Sequence, residues 1–135
     1  MTSKAFFDTN VLVYAQGSDP VKAARSDELL GGGGWVSVQV LNEFASVARS
    51  KLRLDWAYVA EMVEAVMPLV AVQDLTLAVH RAGIVLARRH QLSIWDGLIV
   101  AAALEAGCDV LWSEDMHDGL VIDGRLRVAN PYVPS

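Results

Sequence analysis

An α/β fold, with a parallel sheet covered by helices, is what the sequence predicts. Short β-like runs alternate with longer stretches of helical periodicity, and the helical stretches carry recognisable starts and stops. No internal repeat, low-complexity tail or charge block interrupts the alternation. The 135 residues suit one domain spanning 1–135, large enough to bury most of the surface that its unfolded chain exposes.

The first strand is KAFFD, Lys4 to Asp8, after which Thr9 or Asn10 can cap a short helix through Ala15. Pro20 suits the first turn of a second helix, which Gly31 to Gly34 stops near Leu30. Trp35 to Val38 is the second strand. Beyond it Val40, Leu41, Phe44, Ala45 and Ala48 form a helical stripe. Asp55 can cap another helix with Val59, Met62, Val63 and Val66 on one face, closed by Pro68. Leu69 to Val72 is the third strand. Thr76 opens a helix through Leu77, Ile84 and Leu86 to about Gln91, and a further helix starts at Ser93 and stops at Gly107, a natural C′ residue. Asp109 to Ser113 is the fourth strand, and Leu126 to Asn130 a weaker fifth.

Composition narrows the function. A hydrophobic share of 53% exceeds the usual one and predicts a thick core with apolar surface left for a partner. In the helix that starts at Ser93 the longest uncharged apolar run, Gly97 to Leu104, is too short to cross a bilayer, and no signal-like region develops at the N-terminus. A cytoplasmic protein without membrane contact is expected. The single cysteine, Cys108, excludes an internal disulfide framework and reads as a small core residue at the head of a strand. The net charge of −5 argues against holding nucleic acid by general basicity.

Ligands on open α/β sheets bind beyond the carboxyl ends of the strands. Four carboxylates can converge there. Asp8 closes the first strand, Glu43 lies one turn into the helix after the second, Asp96 lies in the first turn of the helix feeding the fourth, and Asp115 follows that strand. Singly, three have ordinary readings: Asp8 as a helix cap, Glu43 as a solvated helix residue, Asp115 as a turn residue. Asp96 is harder to dismiss. In SIWDGLIVAAALEAG its neighbours Ile94, Trp95, Leu98, Ile99 and Val100 cover most of the helix circumference, and burying an unpaired carboxylate costs more than a helix dipole returns. Two charges about 4 Å apart repel by roughly 4 kcal/mol at an effective dielectric near 20. Four converging carboxylates therefore require protonation or a cation, and oxygen-only ligands favour hard Mg²⁺ or Mn²⁺. Such an ion suits phosphodiester hydrolysis and offsets the negative composition locally.

FFDTNVLVYA, VSVQVLNEFASVARSK and LSIWDGLIVAAALEAGCDVLWSEDM, followed by a short closing strand, arrive in an order and spacing that resembles a PIN-domain ribonuclease, more narrowly a VapC-type toxin of bacterial toxin–antitoxin pairs. The resemblance covers essentially the whole chain. It implies a three-layer α/β/α sandwich with a four- to five-stranded parallel central sheet, and Mg²⁺- or Mn²⁺-dependent endonuclease cleavage of RNA. On the matching positions, Asp8 and Asp96 become the principal metal-binding aspartates, Glu43 the glutamate of NEF, and Asp115 the acidic residue of SED. Thr9 and Ser113 match hydroxyl positions beside the site, and Asn10 would orient Asp8. Within SEDMHDG, Glu114 and Asp118 compete with Asp115 for the last place. The resemblance also implies a homodimer and a cognate VapB-type antitoxin covering the groove.

Other features read more plainly. Gly31 to Gly34 lacks the Lys-Ser or Lys-Thr of a phosphate loop and is a turn. His80, His90 and His117 lack metal spacing, although His117 lies near the site candidates. Arg81, Arg88 and Arg89 read as a solvated helix face, with a phosphate contact as the alternative, and the four tryptophans as core or dimer residues. Two other functions stay open. A phospho-acceptor receiver domain wants an acidic pair after the first strand and a lysine ending the fifth, both missing; a catalytically inactive PIN-like binding module does not need the full acidic set.

Overall fold

In the computed structural model, which describes residues 4–133, the chain opens with β1 (Ala5–Phe7), whose Phe6 and Phe7 are fully buried. Asp8, in extended conformation, accepts a hydrogen bond from the Thr9 amide and caps α1 (Thr9–Ala15). The cap is therefore Asp8, not Thr9 or Asn10, because its short carboxylate follows the strand directly. Asp19 caps α2 (Pro20–Gly31). Gly34 then passes so close to β1 that a Cβ there would lie 2.8 Å from the Ala5 carbonyl oxygen, so the glycine run is a fitted turn.

β2 (Trp35–Ser37) ends one residue early, since Ser37 Oγ accepts from the Val40 amide and starts α3 (Val38–Ser50). Val40, Leu41, Phe44 and Ala48 are buried, as the stripe requires. α4 (Trp56–Val66) starts at Asp55 and buries Val59, Met62 and Val66. Pro68 sits in a 3₁₀ turn (Met67–Leu69), which delays β3 to Ala71–Gln73. α5 (Leu77–His90) buries Val79, Gly83 and Leu86, whereas its apolar Leu77 and Ile84 are exposed. The reason lies across the interface. A Cβ on Gly83 would lie 2.7 Å from a Leu98 methyl, and one on Gly97 would lie 2.5 Å from the Gly83 carbonyl oxygen, so glycines set how closely α5 meets α6 (Ile94–Glu105).

β4 (Val110–Trp112), β5 (Val121–Ile122) and β6 (Leu126–Ala129) complete a six-stranded sheet in the order β3-β2-β1-β4-β6-β5. Five strands run parallel. The sixth, β5, pairs antiparallel with β6, so the expected four- to five-stranded parallel sheet gains an antiparallel edge strand. This order is not that of a receiver domain, in which the third strand would lie beside the first. Trp35 and Trp112 pack against the core, whereas Trp56 and Trp95 are largely exposed. Cys108 is buried and burial pushes its thiol up to about 11. Among the described residues, no helix is long and apolar enough to cross a membrane.

Successive crossovers run one way from β1 to β2 and β3, and the other way through β4 and β6. The reversal between β1 and β4 opens a crevice at their carboxyl ends. The Asp8 amide donates to the Trp112 carbonyl across it, so the residues leaving both strands are held side by side.

Candidate active site

Asp8, Glu43, Asp96 and Asp115 all line one open cavity of about 340 Å³, together with Thr9, Asn10 and Glu114. Asp8 is the deepest, 6% exposed. Its carboxylate accepts from the Thr9 amide at 2.7 Å and from Ser113 Oγ at 2.7 Å. Desolvation pushes it up to about 6, against these two hydrogen bonds, with the Asp96 and Glu43 charges adding to the rise.

Glu43 is half-buried, and desolvation raises its pKa, opposed by Gln39 and Thr9 and reinforced by Asp96. Thr9 Oγ1 donates to its Oε2 at 3.3 Å. Asp96 is half-buried at the head of α6; desolvation raises its pKa, followed by the Asp115 charge. Its first turn is less enclosed than expected, since Ile94 is 36% and Trp95 61% exposed. The apolar circumference is real only from Gly97 onward, where α6 is buried, packed against α5 and strands β2 and β3.

Asn10 does not bond Asp8. Its Nδ2 donates to Asp115 at 3.4 Å and its Oδ1 accepts from the Glu114 amide at 3.4 Å, so it steadies the loop after β4. Ser113 lies behind the cavity, fully buried, and also accepts from the Met116 amide. The three acidic candidates of that loop separate clearly. Glu114 receives hydrogen bonds from Tyr14 and from Lys22, each at 2.6 Å. Burial pushes its carboxyl up, but these two donors together outweigh burial and hold it below its usual range. Asp118 faces elsewhere, accepting from the Asn130 amide. Asp115 is exposed and lines the cavity, and among the described residues its carboxylate accepts a hydrogen bond from Asn10 only.

Sequence reasoning missed three residues. Gln39 is buried and donates to the Trp95 carbonyl at 3.0 Å and to Glu43 at 3.5 Å, tying α3 to the turn that carries Asp96; its spacing of four from Glu43 was the available signal. Lys22 was invisible because its partner Glu114 lies 92 positions away. Lys51 lines the cavity at the end of α3. The arginines Arg81, Arg88 and Arg89 are exposed on α5 and do not line the cavity, with Arg89 paired to Asp123, and His117 is exposed outside it.

Among the described residues, no group of three or more His, Cys, Asp and Glu side chains stands already arranged to hold a metal ion. The donor set nevertheless suits a hard divalent cation: it is all oxygen, and three of its members are raised in part by one another's charge. Lys22, the nearest internal counter-charge to the loop, is committed to Glu114.

A PIN domain family model matches residues 5–117. No characterised protein matches the chain by sequence. Among solved structures, a chain of a toxin–antitoxin complex from Klebsiella pneumoniae is 18% identical with a TM-score of 0.71, over 96% of this chain and 98% of that one. Mycobacterium tuberculosis VapC20, described as a Sarcin-Ricin loop cleaving toxin, is 17% identical with a TM-score of 0.67, over 83% and 90%. A chain of VapBC2 from Rickettsia felis, bound to a promoter DNA fragment, is 21% identical with a TM-score of 0.67, over 93% and 97%. The first-to-fourth-strand crevice, its acidic lining and the family match over most of the chain lead to one assignment: the chain belongs to the PIN-domain family.

Proposed function

We propose that the chain is a metal-dependent endoribonuclease, the toxin of a VapBC-type toxin–antitoxin pair, which hydrolyses RNA phosphodiester bonds at this cavity. One observation carries the reading: carboxylates from four separated positions of the chain, Asp8, Glu43, Asp96 and Asp115, line one cavity at the switch point of the sheet. The solved relatives named as VapC or VapBC proteins support the toxin class.

Asp8, Asp96, Glu43 and Asp115 would hold Mg²⁺ or Mn²⁺, which when bound lowers the pKa of a water and offsets charge on the phosphate. The remaining work belongs to the side chains around them. Ser113 and the Thr9 amide fix both oxygens of Asp8. Thr9 and Gln39 hold Glu43 on one side, and Asn10 holds Asp115 on the other. Lys22 and Tyr14 keep Glu114 as a wall of the cavity rather than a ligand. The full acidic set speaks against an inactive binding module.

A cognate VapB-type antitoxin would cover the groove. A homodimer is part of the proposal, and Leu77, Ile84 and Val85, which α5 leaves exposed, offer apolar surface for it. The protein would act in the cytoplasm.

Incubation of the purified protein with mixed RNA, with Mg²⁺ or Mn²⁺ and with EDTA, tests the reading beside an Asp96→Asn variant. Cleavage by the wild type alone, abolished by EDTA, is expected. Equal cleavage by both proteins, or cleavage indifferent to EDTA, overturns it.

A further inference from the structure

The cavity is not acidic throughout. Glu43, Val47 and Lys51 line it along α3 at successive intervals of four residues, which places them on one stripe of the helix. At 1.5 Å per residue, the backbone rises about 12 Å along the helix axis from Glu43 to Lys51. The facing wall is α1, where Thr9 and Val13, also four apart, line the same space. The cavity is thus a slot with the open carboxylates at one end, Val13 and Val47 along its length beside the Tyr14–Glu114 hydrogen bond, and Lys51 at the far end of the α3 stripe.

Lys51 differs from the other lysine near the site. Lys22 is neutralised by Glu114 at 2.6 Å. Lys51 is exposed, and among the described residues its ammonium has no carboxylate partner. A lysine retained to neutralise the acidic cluster would pair with one of its members. This one stands two turns away, at the only position of the cavity lining that carries a positive charge.

We propose that the RNA lies along α3: the reacting phosphate at the Glu43 end, the adjoining nucleotide between Val13 and Val47, and a neighbouring backbone phosphate on Lys51. This rests on the ribonuclease reading above and adds the direction of the strand across the site. Lys51 is a positioning residue that holds the backbone without reading sequence. A chain with net charge −5 has no general attraction for a polyanion, so one free cation at the slot's end matters for binding.

The test is fluorescence anisotropy of a short single-stranded phosphorothioate RNA in Mg²⁺, titrated with wild type, Lys51→Ala and Lys51→Arg across a salt series. Losing one phosphate contact on a single strand should flatten the log–log salt dependence by about 0.7, and weaken binding about 5-fold at low salt, the scale of an exposed ion pair. The arginine variant should restore both. In cleavage of unmodified RNA, KM should rise for Lys51→Ala while kcat holds. Lys51 is exposed at the helix end, so folding is preserved. Unchanged affinity and an unchanged salt slope overturn the proposal and leave the slot to a peptide. Wild-type cleavage, followed in parallel, tests the ribonuclease reading separately, because the binding comparison does not depend on turnover.

Discussion

Replacing Asp8 with asparagine should abolish activity and yet stabilise the metal-free protein at neutral pH. Asp8 titrates near 6 in the fold, raised by burial against an ordinary 3.8. The folded state therefore holds the proton more tightly than the unfolded chain, and stability is lost as pH rises from about 4 through about 6. At 1.36 kcal/mol for each tenfold change in proton affinity, the ionised carboxylate costs the metal-free fold about 3 kcal/mol at pH 7. Asparagine removes that cost and still caps α1, since Asn and Asp are comparable caps. It disturbs the Ser113 hydroxyl, which now donates to Asp8 at 2.7 Å, so a net gain of about 2 kcal/mol is expected. For a chain of 135 residues that corresponds to a Tm higher by about 7 °C. Thermal unfolding in EDTA from pH 4 to 8 reads this directly. Saturating Mn²⁺ should then stabilise the wild type and leave Asp8→Asn unmoved. A variant less stable than wild type at pH 7 in EDTA, or a wild type whose stability is flat across this range, would mean that ionised Asp8 does not destabilise the metal-free fold.

Other outcomes follow from neighbouring contacts. Ser113→Ala removes a hydrogen bond to the ionised form of Asp8, so the acid limb of the pH–rate profile should move to higher pH, and calorimetry should show metal affinity reduced about 10–100-fold. Glu114→Gln loses a partly exposed ion pair with Lys22; urea denaturation should register no more than about 1 kcal/mol, and metal affinity should be retained. Gly97→Ala places a methyl 2.5 Å from the Gly83 carbonyl oxygen, and separating α5 from α6 should cost about 1–3 kcal/mol of equilibrium stability.

What the sequence made legible is what local chemistry decides. Asp55, Thr76 and Ser93 cap helices where their spacing says they should. The acidic residues were findable because Asp8 and Asp115 follow strands, Asp96 lies in the first turn of a helix and Glu43 one turn into another, and strand order brings those ends together. Of the apolar residues that mark α5 in the sequence, Leu86 is buried and Leu77 and Ile84 are not, because the helix packs through Val79, Leu86 and Gly83, and Gly83 has no side chain to reveal its place in the interface. β5 was missed because it is two residues long with Val121 exposed. Its only local trace is the Asp123–Gly124 turn, with positive φ at both positions. The choice among Glu114, Asp115 and Asp118 depended on Tyr14, Lys22 and Asn130, contacts that only the tertiary fold creates. Asp96 is less enclosed than its apolar neighbours in sequence imply, since a helix apolar in sequence can still leave its first turn at the surface, as Ile94 and Trp95 do.

In the proposed mechanism Asp8 and Asp96, 88 positions apart in the chain, share one divalent ion. Anomalous diffraction from crystals grown with Mn²⁺ tests it most directly. A manganese peak within bonding distance of both carboxylates is expected, absent in Asp8→Asn crystals. A peak bound by neither aspartate, or one that persists unchanged in the variant, would contradict it.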